Sequence, residues 1–299
     1  HVEGDKMNLI LNLVNAEDES LLKTFNYMKE LKNRIELPRI IAYSVAKELD
    51  IELSNADKNR IEKIPTLNLT AYDLFQRGRE EHLTYWANNN KTEALEAAEG
   101  FYSKALEYDS TFARAYTGLA MVYWDKNHWS NHSQNNFLDT LEVLANKAFY
   151  FDPELSEAFV IKGEYLKFNG FFEEAEEEYN KAISLNPNEW LAYWGKAHLC
   201  SFRDDALGMI KYLNQVLLHH RGAYLPVILT RMSFAYSSAG FTERAKNILS
   251  DKFQLDGDSV QYFFALGDLE SSNNNLQKAL DYYLQAYKMN PSFLILLQR

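Results

Sequence analysis

Apolar residues recur along this chain at a nearly fixed interval. Ala175, Met209, Ala245 and Ala279 fall at steps of 34, 36 and 34 residues. Gly163 and Gly267 are 104 residues apart, as are Pro187 and Pro291, which is three intervals of close to that length. A period of this size matches one helix–turn–helix hairpin. A lone hairpin cannot bury its apolar face, so each copy must stack on its neighbours. The choice of fold narrows to an array of paired helices. With only 12 Gly and 6 Pro in 299 residues, the chain suits helices better than a turn-rich β fold.

The clearest copy is Ser156 to Glu189. Phe159 and Gly163 lie on its first helix, Gly170 marks the turn, and Ala175, Tyr179 and Ala182 line one face of the second helix before Pro187. The last copy repeats the scheme with Phe263, Leu266, Gly267, Ala279, Tyr283, Ala286 and Pro291. Small residues at Gly163 and Ala175 let the paired helices approach, Tyr179 fills the space between hairpins, and proline starts the next connection. Ala113 to Leu155 aligns through Tyr116, Leu119, Ala120, Tyr123, Ala148 and Pro153, with about nine extra residues placed at Asp125 to Asn136. Ala71 to Phe112 aligns through Gly78, Ala98, Tyr102 and Ala105, with an excess of about eight near Trp86 to Lys91. Two degenerate copies surround Tyr193 to Leu217 and Leu229 to Phe253. The pattern resembles the tetratricopeptide repeat. The expected fold is mainly α: a tetratricopeptide-like α-solenoid of about six helix pairs over residues 71–299, preceded by a small α/β segment.

Residues 1–66 read differently. Leu9, Leu11 and Leu13 alternate along one predicted strand, and a second runs from about Leu22 to Tyr27 after the polar stretch Asn15 to Glu19. Pro38 opens a helix whose Ile41, Ala42, Val45, Ala46 and Leu49 follow helical spacing. Ser54 with Asp57 predicts a capping box on a short helix ending near Ile64, closed by Pro65. Two strands and one amphipathic helix make too small a sheet domain to stand alone. The segment is therefore expected to be the tail of a larger α/β domain, or to borrow strands from a second copy in a homodimer.

The passage Ile40 to Leu49, then Asn59-Arg60-Ile61, Pro65-Thr66 and Asn68 to Gly78, resembles the junction between a TolB-like α/β domain and tetratricopeptide repeats. That junction is found in bacterial signalling proteins, among them CadC/ToxR-type one-component transcription regulators and certain adenylate cyclases. Leu9 to Val14 with Asn15-Ala16-Glu17 resembles the late strand and turn of the same domain. The resemblance covers residues 7 to about 112 in order. It implies that 1–66 is the C-terminal part of a TolB-like domain plus a linker helix and that 67–299 is the repeat domain. It also implies a sensory or protein-interaction region on the periplasmic face of a membrane-anchored protein, a cytoplasmic place being the alternative. It carries no catalytic residue.

Composition excludes several classes. Lys plus Arg number 31 against 42 Asp plus Glu, a net charge of −11, which disfavours direct binding to nucleic acid. A single cysteine, Cys200, excludes an internal disulfide and reads as a buried, inert thiol. Apolar runs such as Leu9 to Leu11 and Phe293 to Leu297 are far shorter than a membrane span. His1-Val2-Glu3-Gly4 is not a natural start, so the chain is expected to be part of a longer one. There is no Gly-rich phosphate loop, HExxH, GxSxG or CxxC pair. His128 and His132 have a spacing that a metal site can use, but they stand among Asn127, Asn131 and Asn135 and read as solvated. His219-His220 near a helix end reads as complementing carbonyls and the dipole. Asp256-Gly257-Asp258 reads as a turn rather than a calcium loop. The acidic run of Glu173, Glu174, Glu176, Glu177 and Glu178 reads as a solvated helix face. No cofactor, metal or catalytic residue is expected.

Function is expected in the trough lined by the first helix of each pair. Projecting the register places Tyr72, Phe75, Arg79 and His82 there, then Arg114, Met121 and Trp124, then Val160, Glu164 and Phe168. Trp194, His198 and Phe202 follow, with Thr230, Phe234, Phe264 and Asp268 at the far end. Rigid aromatics favour interface hot spots, and Arg79 and Arg114 have the chemistry to meet a carboxylate. The bland alternative is that these aromatics pack between helices. The reading is a non-catalytic module that binds a peptide, protein or small-molecule effector for a signalling or transcription-regulatory protein. The alternative is an assembly scaffold without signal output.

Overall fold

The computed structural model describes residues 2–3, 5–15, 20–87, 92–128, 137–220 and 222–291. His132 and its neighbours Asn131 and Asn135, the 88–91 part of the first insertion, the 129–136 part of the second, and the run Phe293 to Leu297 lie outside the described residues.

The chain opens with strands β1 (Val2–Glu3), β2 (Lys6–Val14) and β3 (Leu21–Glu30), all antiparallel, in the order β1-β2-β3. The predicted hairpin is present, and the short β1 is an addition to it. Leu9 stands opposite Tyr27 and Leu11 opposite Phe25, so the half-buried face collects these apolar side chains. The other face exposes Ile10 and Met28. A short 3-10 helix (Leu31–Glu36) leads into α1 (Leu37–Glu48), where Pro38 occupies the first turn. Its missing N–H costs nothing there. Lys23 on β3 pairs with Glu48 on α1 at 3.2 Å.

The linker helix α2 (Asn55–Glu62) begins with the predicted capping box. The Asp57 N–H donates to Ser54 Oγ at 3.1 Å, and the Ser54 N–H donates back to Asp57 Oδ2 at 3.1 Å. Arg39 and Tyr43 of α1 both donate to Glu62 at 2.8 Å.

Six helix pairs follow: α3 (Leu69–Ala87) with α4 (Thr92–Tyr108), α5 (Ala113–His128) with α6 (Phe137–Phe151), α7 (Ser156–Phe168) with α8 (Phe172–Leu185), α9 (Trp190–Phe202) with α10 (Ala206–His219), α11 (Leu225–Ser238) with α12 (Thr242–Asp256), and α13 (Ser259–Ser272) with α14 (Leu276–Met289). The expected solenoid is thus present. The 2.7 Å bond from Arg34 Nε to Asp73 Oδ1 ties the 3-10 helix to α3. Thr66 bonds Asp109 just past α4, Lys63 pairs with Asp152 just past α6 at 2.6 Å, and Arg60 Nη1 donates to the Leu185 carbonyl ending α8 at 2.7 Å. The linker therefore lies across the C-terminal ends of three successive second helices. The negative ends of helix dipoles favour cations in that position.

The stacking device is a tyrosine held between glycines. A Cβ at Gly163 would meet the Tyr179 ring at 2.5 Å, and one at Gly195 of the next pair would come closer still. Tyr102 is held the same way, between Gly78 at 2.8 Å and Gly118 at 2.7 Å. Only residues without a Cβ allow so close an approach. Tyr179 is fully buried, and its hydroxyl donates to Glu164 Oε1 at 2.6 Å. The buried core runs unbroken from α3 into α7, and smaller cores join α7 to α9 and α9 to α12. On the inner side α3, α5, α7 and α9 pack in succession and α13 packs on α11, while α9 and α11 stand farther apart.

Three local expectations need correction. Glu178 is not part of a solvated face: it is buried, and its Oε1 accepts from Lys162 at 3.0 Å and Lys181 at 3.1 Å. His219 and His220 do not complement helix carbonyls; their rings stack on Tyr193 at 5.7 Å and Trp190 at 4.3 Å, because the aromatic first turn of α9 lies beside the end of α10. The helix predicted to end near Ile64 stops at Glu62. Asp256-Gly257-Asp258 is a turn as expected, with Gly257 at φ +66° ending α12 and Asp258 capping α13. Cys200 is buried, and burial pushes its thiol up to about 11.

Candidate functional site

The inner face of the array holds a partly open chamber with a cavity volume of about 30 Å³, or about 510 Å³ when all the empty space out to its open mouth is counted. Its lining comes from every first helix from α3 to α11. Met121, Trp124 and Asp125 come from α5, Val160 and Glu164 from α7, and Trp190, Leu191, Trp194 and His198 from α9. Trp86 at the end of α3 and Tyr224 with Val227 at the start of α11 complete it. Four indole rings and one phenol ring therefore bound a single recess.

The carboxylates of this wall are held by neighbouring side chains. His82 Nε2 lies 2.6 Å from Asp125 Oδ2, which also accepts from Trp86 Nε1 at 3.2 Å. Glu164 accepts from Tyr179 on one oxygen and from Lys167 on the other, both at 2.6 Å. The Lys167 ammonium stands 5.4 Å from the Trp124 ring centre. The Trp86 ring reaches Tyr224 at 4.6 Å, and Tyr224 in turn lies 4.8 Å from Trp190 and 5.4 Å from His220.

The residues predicted for the trough divide between three environments. Trp124, Trp194 and His198 line the chamber, with Met121, Val160 and Glu164 beside them. Trp194 and His198 are neighbours at 4.9 Å. Phe75 is instead a core residue, wedged between Tyr102 at 5.6 Å and Phe112 at 4.9 Å, because its position on α3 faces the seam with α4. His82 is buried behind the chamber wall on Asp125. Phe168 is about half exposed at the rim, edge-on to Trp124 at 5.8 Å and to Phe137 at 5.2 Å. Arg79 is exposed and touches Gln76 at 3.3 Å. Tyr72 is half-buried on α3, and Phe264 packs on Tyr283 at 5.4 Å near the far end.

Arg114 belongs to a second cluster, at the joint of α5, α7 and α9. Its guanidinium grips Glu157 at 2.9 and 3.1 Å and stands 5.7 Å from the Phe75 ring. Ser156 Oγ donates to Glu189 at 2.8 Å. Burial, followed by the charge of neighbouring Glu157, pushes the Glu189 carboxyl up to about 7. Glu157 itself is held below its ordinary value, since the Arg114 charge and hydrogen bonds from Arg114, Ser156 and a backbone N–H outweigh its burial. Arg114 is thus committed to Glu157.

Sequence reasoning missed Trp86, Asp125, Trp190, Leu191, Tyr224 and Val227. A signal for three of them was present. Trp86 sits in the excess of the first repeat, Asp125 opens the excess of the second, and Tyr224 sits within the interval Met209 to Ala245, where the step lengthens to 36. Among the described residues, no group of three His, Cys, Asp or Glu side chains is placed to hold a metal ion, and no helix is long and apolar enough to cross a membrane.

Comparison with known proteins agrees with this architecture. The tetratricopeptide-repeat family model matches residues 156–189 and 260–293, the same two copies that are clearest in the sequence. A curated relative, human tetratricopeptide repeat protein 6, is 23% identical over 205 residues, which is 68% of this chain. The match covers only 37% of that relative's length. Among solved structures, the Cut9–Hcn1 hetero-tetramer of the APC/C aligns with a TM-score of 0.56 at 13% identity, covering 87% of this chain and 52% of that one. PilW, a type IV pilus biogenesis factor, aligns with a TM-score of 0.52 at 17% identity, covering 74% of this chain and 94% of that one. Repeat spacing, tyrosine-in-glycine packing and shared fold meet in one conclusion: residues 69–291 of this chain form a tetratricopeptide-like α-solenoid, and two of its helix pairs match the tetratricopeptide-repeat family model.

Proposed function

We propose that this chain is a non-catalytic interaction module that binds a peptide or protein partner along the trough lined by its first helices. The observation that carries the reading is the aromatic chamber opening on that trough, where Trp124 of one repeat meets Trp194 and His198 of another. Aromatic side chains gathered in a recess supply large contact area at small entropic cost, the chemistry of interface hot spots. Arg79, exposed on the same helix as Trp86, supplies a charge at the trough wall. By resemblance at residues 40–78, the module is the sensory region of a bacterial signalling or transcription-regulatory protein, with residues 1–66 as the end of a TolB-like domain. In that setting it faces the periplasm and relays binding of a partner or small-molecule effector. The exposed side of the hairpin, with Ile10 and Met28, is then where a further strand or a second copy packs.

The test is selection from a phage-displayed random peptide library, followed by titration of the selected peptides. Trp194→Ala and Arg79→Ala are expected to weaken those peptides more than about tenfold while lowering the melting temperature by only a few degrees. Failure to select any peptide, or a large stability loss with unchanged affinity, would refute the trough as the binding surface.

A further inference from the structure

The places where the chain departs from its regular period meet at one point. Gly78 and Gly163 hold the same place in their repeats, so Leu83 corresponds to Phe168, where α7 stops. Yet α3 continues to Ala87, and Trp86 rides on the added turn. Helix α5 is likewise longer than α7, reaching His128, and Asp125 stands near its end. The lengthened step between Met209 and Ala245 contains the connector between α10 and α11, which carries Tyr224. Trp86 and Tyr224 are 138 residues apart in sequence, and their rings meet at 4.6 Å.

A solenoid needs contacts only between neighbouring repeats. A contact between the first and fifth repeats is therefore not required by stacking, and a strictly periodic array would contain neither ring. Three of the walls that make the trough a chamber are built by departures from the repeat: Trp86, Asp125 and Tyr224.

The charge arrangement selects the occupant. Both carboxylates on the wall already have internal donors, Asp125 from His82 and Trp86, Glu164 from Lys167 and Tyr179. An anion entering here would lose its water beside two carboxylates, and a cation would have to compete with the donors those carboxylates already hold. An uncharged ring loses little water and gains contact with the faces of Trp124, Trp190 and Trp194.

We propose that the chamber is a binding site for one uncharged aromatic or bulky aliphatic group. This rests on the trough-binding reading and assigns the chemistry of its anchor. The group is either a side chain of a bound peptide or a free small molecule.

The full 299-residue chain, labelled with 5-fluorotryptophan, is titrated with N-acetyl-tryptophanamide, N-acetyl-lysinamide and N-acetyl-aspartate amide while fluorine resonances are followed by NMR. The neutral amide is expected to shift the Trp86, Trp124 and Trp194 signals saturably, and the charged amides are not. Trp86→Leu and Tyr224→Leu are each expected to weaken the neutral amide at least about fivefold. If either variant loses its helical circular dichroism, Val227→Trp, which fills the chamber from α11, replaces it and should abolish the shifts. A selected peptide that binds much tighter than the amide and needs its apolar residue identifies the side-chain source; equal affinity identifies the small-molecule source. Absence of a saturable shift, stronger binding of a charged amide, or folded variants with unchanged affinity would overturn the chamber assignment. Peptides that bind the trough but ignore Trp86→Leu would overturn it while leaving trough binding intact. Failure to select any peptide would count against trough binding alone and leaves the amide titration to decide the chamber.

Discussion

Two aromatic contacts in this molecule follow different logics. Tyr179 sits between Gly163 of its own repeat and Gly195 of the next, and Tyr102 repeats the arrangement with Gly78 and Gly118. Each such wedge needs only one repeat and its neighbour. The Trp86–Tyr224 contact joins the first repeat to the fifth. The wedges hold the array together; the long-range contact shapes an enclosed space. On the binding reading proposed above, stability and recognition rest on different residues, so each can be perturbed with limited effect on the other.

The largest expected effect breaks a wedge. Tyr179→Ala removes a fully buried ring and leaves Glu164 without its phenol donor. It should cost about 3–5 kcal/mol, read by urea unfolding. A loss below about 1 kcal/mol would show that the third and fourth repeats do not depend on the wedge.

A smaller effect tests the joint beside that wedge. Folding raises the Glu189 carboxyl from an ordinary 4.5 to about 7. Between those values the folded chain holds a proton that the unfolded chain has released, so stability falls as pH rises. The contribution is fully present below about 4.5 and lost as pH passes 7. Glu189→Gln keeps an acceptor for Ser156 and removes the charge. It should raise stability at pH 8 by about 1–3 kcal/mol and leave pH 5 nearly unchanged, measured by thermal melts at both values. Equal shifts at both pH values would place the effect in packing.

The smallest expected effect lies at the linker. Arg60→Ala removes the bond to the Leu185 carbonyl at an exposed site. Global stability should change by less than about 1 kcal/mol. Amide exchange in α2 should rise while exchange in α8 does not; equal protection in both would show that Arg60 does not hold the linker down.

Most of the fold was legible because its signals are local. Alternation at Leu9, Leu11 and Leu13 placed a strand, Ser54 with Asp57 placed a helix start, and the spacing of Gly163, Ala175, Tyr179 and Pro187 placed a helix pair. The inner surface was legible only in part. Register identifies which helix faces the trough, and it found Trp124, Trp194 and His198. It does not say whether a ring at an inner position turns into the seam, as Phe75 does. That depends on how closely the next helix approaches and on how much volume Tyr102 and Phe112 leave free.

From its own residues the chain determined the number of hairpins, the seam between them and the caps that begin its helices, because each rests on side chains one repeat or less apart. Only the tertiary structure decided that Trp86 meets Tyr224 and that Glu189 is buried beside a second carboxylate. The first depends on small rotations accumulated over several repeats, and the second on water excluded by three helices at once; neither quantity is written in any local stretch of sequence.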